Sequence, residues 1–465
     1  MLFVLTQKLR FVKGRMNMSK VKEYSWMTKD KLMTYTFIAL AIIAAVTTVL
    51  WWSVIQEGWS LGLTVLVSCM ISVVVAVVLD YILSLAMKEK GPVNTMSAAV
   101  FGLIVALSYS YGIPVMATVE VLPLTAPQAF IYVAVISAVG LIVFKKLQGL
   151  LGRKYVNPAA AAKLLVLLPF LYQILLPKDH TGYIPTLAAG LGYEGESSFA
   201  SALQFCFGNP DLVSKGILPI PPSPSELFLT LAIAKYHGWA GGASSIAVII
   251  VGIILFIVAR KYVKWRITAA YFASIIVMSL IMSAVYGGDI LLRLGFHIFV
   301  GSSIFLAFFM ATDPATTPLT HSGQCIFGIG LGVLTVLIQT YMNFFGGSIL
   351  ALIIMNLTSP LLDKVGLPKP SEEKVEVKLP KAQSFETIKT TACMRCGACL
   401  EVCCHKLSPI LIKEAFDKGR TETLKVLRAD LCDGCGNCTF ICPARIDLRS
   451  FTLRAKASLR TEKSQ

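Results

Sequence analysis

The sequence is poor in charged residues, and acidic residues are the scarcer kind. Charged side chains make up 15% of the 465 residues and hydrophobic ones 55%, which excludes a soluble protein of ordinary composition. The 26 acidic residues face 42 lysines and arginines, so the formal net charge is +16. No nucleic-acid motif accompanies this charge, and many basic residues cluster beside long apolar runs. We therefore attribute the charge to membrane topology and predict no nucleic-acid partner.

Two other features are absent. Residues 1–31 are basic, but no small-residue cleavage site follows a short apolar core, so we predict a cytoplasmic tail and not a signal peptide. Of the 5 histidines, His237 and His297 do not form the spaced, inward-facing pairs that a membrane cytochrome needs. We expect both to be core or helix-end residues.

What the sequence does contain is a series of ten apolar runs, each long enough to cross a bilayer. The runs lie at 33–52, 60–79, 94–111, 126–145, 158–177, 242–260, 267–286, 291–311, 324–341 and 345–363. They predict a mainly α, polytopic membrane protein with about ten transmembrane helices. Residues 178–241, rich in glycine, proline and serine, form a long outer loop in this interpretation, either functional or disordered.

The charges between the runs predict the orientation. Connections at 88–90, 145–154 and 260–266 are basic, whereas those at 56–58 and 287–289 carry almost no lysine or arginine. By the positive-inside rule the basic connections face the cytoplasm. An even number of spans then puts both termini on the cytoplasmic side of the inner (plasma) membrane.

Eight cysteines near the C-terminus fall into two runs of one pattern, C-x2-C-x2-C-x3-C. The first run is Cys393, Cys396, Cys399 and Cys403, and the second is Cys432, Cys435, Cys438 and Cys442. In this spacing a short loop wraps three thiolates around one face of a 4Fe–4S cube, and the fourth cysteine reaches the other cube. We therefore pair the first three cysteines of each run with the fourth of the other. Such thiolates require a reducing compartment, which agrees with a cytoplasmic C-terminus.

Two alternatives concern these cysteines. Zinc knuckles need four ligands in a C-x2-C…C-x2-C arrangement, and the third closely spaced cysteine, with Pro443 after the last one, fits zinc poorly. Cys404 stands where proline usually follows the remote ligand. It either replaces Cys403 as a ligand or is a spare buried thiol, and the spacing does not decide between these two roles.

The cysteine-rich stretch resembles a two-cluster bacterial-type ferredoxin domain, most closely the ferredoxin segment of the Rnf complex C subunit. The resemblance implies a small α+β domain at 386–465, bound to two 4Fe–4S clusters. A charged linker at 364–385 joins it to a membrane domain at 32–363, which follows the basic tail.

Three polar stretches stand out within the apolar part. They are the helix start at 155–162 with Asn157 and Pro158, the stretch 310–323, and the stretch 355–360. Capping of helix ends accounts for each one alone. Asp80 and Asp313 are the best acids for an ion path, although capping explains either equally well.

Together and in this order, the three stretches resemble the family of the Rnf D subunit and the Nqr B subunit over residues 80–365. The resemblance implies a flavin-bearing subunit of an ion-translocating electron-transfer complex. The family attaches FMN covalently through a Ser/Thr-Gly-Ala-Thr run, and this chain departs from it. With Thr181 and Gly182 aligned, Ile184 stands at the acceptor position, and Thr186 is the nearest hydroxyl. FMN bound without a covalent bond, attached elsewhere, or absent remains an alternative.

We therefore expect a translocase subunit that passes electrons between cytoplasmic 4Fe–4S clusters and flavin and couples this to Na⁺ or H⁺ transport. Its expected partners are other Rnf-type subunits and a soluble ferredoxin or flavoprotein donor. Two alternatives are a membrane anchor that passes electrons to quinone or an outer-side reductase without pumping, and a channel or transporter whose ferredoxin domain senses redox state.

Overall fold

The structure is a computed structural model that describes residues 24–372 and 390–463, apart from 57, 88–94, 112–125, 151–152, 176–202, 204–212, 215, 217–219, 221–223, 237 and 343–345. The chain divides into two compact units. The helical unit comprises Met33–Glu89 and Val93–Val365. The cysteine unit comprises Met1–Leu32, Lys90–Pro92 and Gly366–Gln465.

Apolar helices make up most of the helical unit. In chain order they are α1 (Lys29–Leu50), α2 (Leu61–Ala86), α3 (Thr95–Ser108), α4 (Ala126–Val139, extended by a π-helical Gly140–Leu147), α5 (Pro158–Leu175), α6 (Pro224–Ile233), α7 (Ser245–Val258), α8 (Trp265–Tyr286), α9 (Ile290–Phe299), α10 (Ser303–Met310), α11 (His321–Tyr341) and α12 (Gly347–Leu362). A two-stranded antiparallel hairpin, β1 (Ile55–Gln56) and β2 (Trp59–Ser60), connects α1 to α2.

Several of these helices have the length and composition of membrane spans. Among the described residues, α1, α2, α4 with its extension, α8 and α11 each pass this test, and α9 with α10 pass it together as a bent pair. Helices α3, α7 and α12 are apolar but shorter. Each of the ten apolar runs in the sequence lies on one or two of these helices, so the chain is a multi-pass membrane protein.

The run predicted at 291–311 is two helices and not one. Helices α9 and α10 meet at an angle of 60°. At the break Gly301 has φ of 67°, a left-handed conformation that L-residues with a side chain rarely adopt. Glycine therefore permits the sharp change of direction between two halves that are both apolar.

Small and polar residues hold α2, α3 and α4 together. The hydroxyl of Ser72 on α2 donates to the carbonyl of Gly102 on α3 at 2.6 Å and lies 2.6 Å from the Ser137 hydroxyl on α4. A methyl group added to Gly102 would lie 2.7 Å from the backbone oxygen of Ser72. Such close backbone approach through small residues is typical of helix packing in membranes, where apolar side chains alone give little driving force between helices.

The cysteine unit consists of short helices around two loops. They are α13 (Ala398–Glu401), α14 (Pro409–Asp417), α15 (Thr421–Val426), α16 (Asn437–Ile441) and α17 (Leu448–Lys463). Helices α14 and α17 pack against each other, with buried apolar side chains such as Ile412 and Ala455 between them. The sequence predicts an α+β domain here, and the described residues of this unit contain helices but no strand.

Candidate functional site

The two cysteine runs have the same local backbone, repeated 39 residues later along the chain. The third position of each run, Arg395 and then Gly434, has positive φ (56° and 70°). So do the glycines after the second cysteine of each run, Gly397 and Gly436, at 83° and 81°. Left-handed residues turn the chain sharply, so that three cysteines separated by only two residues face the same space.

The first of two cavities in the cysteine unit brings together cysteines from both runs. Three come from the first run, and Cys442 comes from the end of the second. The empty space is about 360 Å³. The backbone N–H of Arg395 donates to the Cys393 sulfur at 3.3 Å. The lining therefore contains the four cysteines that the sequence pairs around one cluster.

The second cavity repeats this arrangement with one addition. Its space is about 370 Å³, and it is lined by Cys432, Cys435 and Cys438 together with Cys403 from the first run. The fifth cysteine on its wall is Cys404. The shared pattern of run cysteines follows from the repeated backbone, since each loop supplies three thiols to one cavity and a fourth to the other.

Cys403 and Cys404 have different surroundings in the second cavity. The Cys403 sulfur accepts the backbone N–H of Leu407 at 3.3 Å. The Cys404 sulfur lies 3.5 Å from the Cys435 sulfur, and this contact lowers the pKa of Cys435 while raising that of Cys404. Cys403 is the counterpart of Cys442 in the repeat, and Cys404 is a thiol with no cysteine counterpart, because Pro443 stands there.

The chemistry of the thiols fits an iron–sulfur cluster. Burial raises the pKa of the Cys399 and Cys442 thiols, because a thiolate loses its hydration there. The backbone N–H groups of residues 444–446 act in the opposite direction on Cys442 and favour its thiolate. A site that removes water from sulfur yet offers it N–H donors suits ligation by iron, whose positive charge stabilises the ionised sulfur.

Within the described ranges no three histidine, cysteine, aspartate or glutamate side chains converge closely enough to hold one metal ion. A zinc ion needs four sulfurs at about 2.3 Å from one centre. A cube of four irons instead takes each thiolate on a different iron. The four run cysteines that line each cavity match the number of thiolates that the sequence predicts for one cube.

The N-terminal segment packs on the loop after Cys442. The Ser25 N–H donates to the Phe440 carbonyl at 2.9 Å, and the Lys29 N–H donates to the Pro443 carbonyl at 3.0 Å. The Arg445 guanidinium donates to the Ser25 carbonyl at 2.5 Å. Residues 25–29, predicted only as part of a basic tail, thus contact the backbone that presents Cys442 to the first cavity.

In the helical unit, the three polar stretches of the sequence converge on residues 311–320, the loop between α10 and α11. Asn157 caps α5 by accepting the N–H groups of two alanines, and its amide donates to the Met310 carbonyl at 3.2 Å. Ser359 on α12 donates to the Thr316 carbonyl at 2.7 Å. The loop and Met310 before it therefore contact α12 and the start of α5 in addition to the two helices that the loop connects.

A buried lysine outside the 311–320 loop donates hydrogen bonds to it. The ammonium of Lys264 donates to the carbonyls of Pro314 and Thr317 at 2.8 Å each and to the Thr317 hydroxyl at 2.9 Å. The Lys264 side chain is 2% exposed. Sequence reasoning missed it, because its partners are backbone oxygens 50 and 53 residues away that no local pattern reveals.

Each of the two acids considered for an ion path has a partner within the helical unit. Asp313 accepts the N–H of Ala315 at 3.1 Å, and so caps its own turn. Asp80 is 4% exposed and pairs with Lys146 at 3.4 Å. His297 lies in the core, as expected, with its Nδ1 2.8 Å from the Gln339 side-chain oxygen. Thr181, Gly182, Ile184, Thr186 and His237 lie outside the described residues.

The helical unit matches a known family. The sequence profile described as the NQR2, RnfD, RnfE family matches residues 27–372. The chain belongs to this family.

Relatives in the NQR2, RnfD, RnfE family cover different shares of the chain. The D subunit of the Na(+)-translocating ferredoxin:NAD(+) oxidoreductase complex of Acetobacterium woodii is 27% identical over 307 residues, 66% of this chain and 82% of that protein. The D subunit of the ion-translocating oxidoreductase complex of Citrobacter koseri is 25% identical over 74% of this chain and 96% of its own length. The B subunit of the Na(+)-translocating NADH-quinone reductase of Stutzerimonas stutzeri is 30% identical over 48% of this chain and 52% of its own length.

The family match covers one of the two candidate sites and not the other. It includes the 311–320 loop, Asn157 and Lys264, all of which lie within residues 27–372. It ends before Cys393, the first of the eight cysteines in the two runs. The NQR2, RnfD, RnfE family therefore accounts for the membrane part, and the cysteine cavities are a further feature of this chain.

Proposed function

We propose that this chain is the membrane subunit of an Rnf-type ion-translocating electron-transfer complex and that its cysteine unit binds two 4Fe–4S clusters. The observation that carries the proposal is the composition of the two cavities. Each is lined by three cysteines of one run and the fourth of the other. This is the crossed arrangement by which two-cluster ferredoxins hold their cubes.

Eight cysteines are the ligands in this proposal. Cys393, Cys396, Cys399 and Cys442 bind the first cluster, and Cys432, Cys435, Cys438 and Cys403 bind the second. Cys403 is preferred to Cys404 because it occupies the repeated position, as the counterpart of Cys442. Such clusters would carry one electron each. The chain's own contributions are thiolates, exclusion of water and N–H donors to sulfur, which together set the reduction potential.

The family relationship supports the membrane half of the proposal. Relatives are named as subunits of Na⁺- or proton-translocating ferredoxin:NAD⁺ oxidoreductase complexes. By extension, this chain is a translocase subunit of the inner membrane, with its termini in the cytoplasm. Its partners are other Rnf-type subunits and a soluble ferredoxin or flavoprotein donor. FMN is its proposed second cofactor, with Thr186 or Thr181 as the point of attachment.

The test of this function is ion transport in vesicles that contain the whole complex. We expect reduced donor to drive Na⁺ or H⁺ uptake when this chain is native and uptake to fail when Cys396→Ala removes a ligand. The matched control is Cys325→Ala, an exposed cysteine on α11 outside both cavities. Electron flow that continues without ion uptake in the native complex would overturn the pump and favour a non-pumping anchor.

A further inference from the structure

The last helix carries positive charge that its own unit does not neutralise. Arg449, Arg454 and Arg460 on α17 are exposed, and none forms an ion pair with any described residue. Several basic side chains elsewhere in the unit are paired with acids. These pairs are Arg395–Glu414, Lys413–Asp417, Lys425–Glu422 and Arg428 with Glu372 and Asp430. Arg449 and Arg460 are 11 residues apart, so they lie on the same side of α17 and form an uncompensated positive surface, which we call the arginine face. Arg454 lies on another side of the helix.

The arginine face adjoins the second cavity. Arg449 lines that cavity. A methyl group added to Gly434, in the loop of the second run, would lie 3.3 Å from a Leu453 methyl and 3.7 Å from the Arg449 Nε. Lys456 of the same helix donates to the Cys432 carbonyl at 2.7 Å. Leu453, 37% exposed, thus gives the basic face a partly apolar centre beside the cysteine loop.

The repeat shows that this charge is not a requirement of the fold. The positions 39 residues before Arg449 and Arg454 are Ile410 and Ala415 of α14, and both are buried. The helix beside the first cavity therefore has the same place in the repeat and none of the exposed arginines. The loop that brings Cys442 to the first cavity is itself occupied by residues 25–29.

We propose that the arginine face and Leu453 form the docking surface for an acidic one-electron carrier protein, and that electrons enter the chain at the second cavity. The proposal rests on the proposed function, since it assumes clusters in the cavities. Exposed charge of one sign around an apolar centre steers a partner of opposite charge and fixes its orientation. One electron would pass from the reduced carrier to the oxidised second cluster, with no bond made or broken.

The test is the rate of electron transfer from an acidic flavodoxin to the full-length protein in detergent. Two-electron-reduced flavodoxin is mixed with oxidised protein, and the visible band of its one-electron-oxidised form is followed by stopped flow. The test variant is Arg460→Glu, which reverses a charge of the arginine face and lines neither cavity. The matched control is Arg454→Glu, which reverses one exposed charge on another side of the same helix and lines neither cavity.

We expect the test variant to lower the second-order rate constant about tenfold at low salt, and the difference from wild type to shrink as salt screens the charges. The control should stay within about twofold of wild type. Equal rates in both variants, with iron content and cluster spectra unchanged, would overturn the docking surface and leave the clusters in place. Absence of iron–sulfur spectra in the wild-type protein would instead overturn the proposed function.

Discussion

The crossed ligation of the two clusters predicts a specific pattern of iron loss in double variants. Cys442 follows the second run in sequence but lines the first cavity with Cys396. Each lost ligand should release one cube, because each cube needs four thiolates and three remain. The wild-type protein should hold about eight irons and each single alanine variant about four. Cys396→Ala with Cys442→Ala should also keep about four, because both residues serve one cluster.

The informative contrast comes from a second double variant, whose two cysteines belong to one run but line different cavities. Cys435→Ala with Cys442→Ala should lose nearly all iron, although both residues belong to the same run. The assay is iron and acid-labile sulfide per chain in purified full-length protein, with the cluster signal followed by electron paramagnetic resonance. Cys404→Ala is the control and should keep about eight irons. If the 435/442 variant kept half of its iron and the 396/442 variant lost all of it, each run would bind its own cluster, and the crossed assignment would be refuted.

Three further predictions concern other parts of the chain. If Thr186 carries FMN, Thr186→Val should abolish the fluorescence of the denatured protein band under ultraviolet light while Thr181→Val keeps it, and the reverse result would assign Thr181. Gly102→Ala places a methyl 2.7 Å from a backbone oxygen of α2 and should destabilise the protein by about 1–3 kcal/mol in thermal unfolding, whereas Gly149→Ala, with nothing within 4 Å, should not. Arg445→Ala removes a charged hydrogen bond worth about 1.5–3 kcal/mol and should speed proteolytic cleavage of the N-terminal segment about tenfold to a hundredfold, and an unchanged rate would contradict the role given to this contact.

The cysteines that line each cavity were predictable from their short local spacing. Two or three residues between cysteines leave little freedom, and the exchange of fourth ligands follows from the pattern itself. The choice between Cys403 and Cys404 was not predictable, since the two residues are adjacent and differ only in their tertiary contacts. In the fold the Cys403 sulfur accepts the Leu407 N–H, and the Cys404 sulfur lies beside the Cys435 sulfur. The spacing of the cysteines identifies neither contact.

In the membrane part, apolar runs predicted where helices lie but not how polar residues join them. Asn157 has the sequence of an ordinary helix cap, and it does cap α5, but its amide also reaches Met310 across the unit. The break at Gly301 was missed because glycine is common in membrane helices and both flanks are apolar. Periodicity and composition report burial. They do not report hydrogen bonds between residues that are distant in sequence.

The most direct test of the central claim is electron paramagnetic resonance of the purified, fully reduced protein together with metal analysis. The proposal predicts signals of two reduced 4Fe–4S clusters that interact magnetically, with about eight irons per chain and no stoichiometric zinc. A protein that is silent after reduction and carries zinc in place of iron would contradict the electron-transfer function of the cysteine unit.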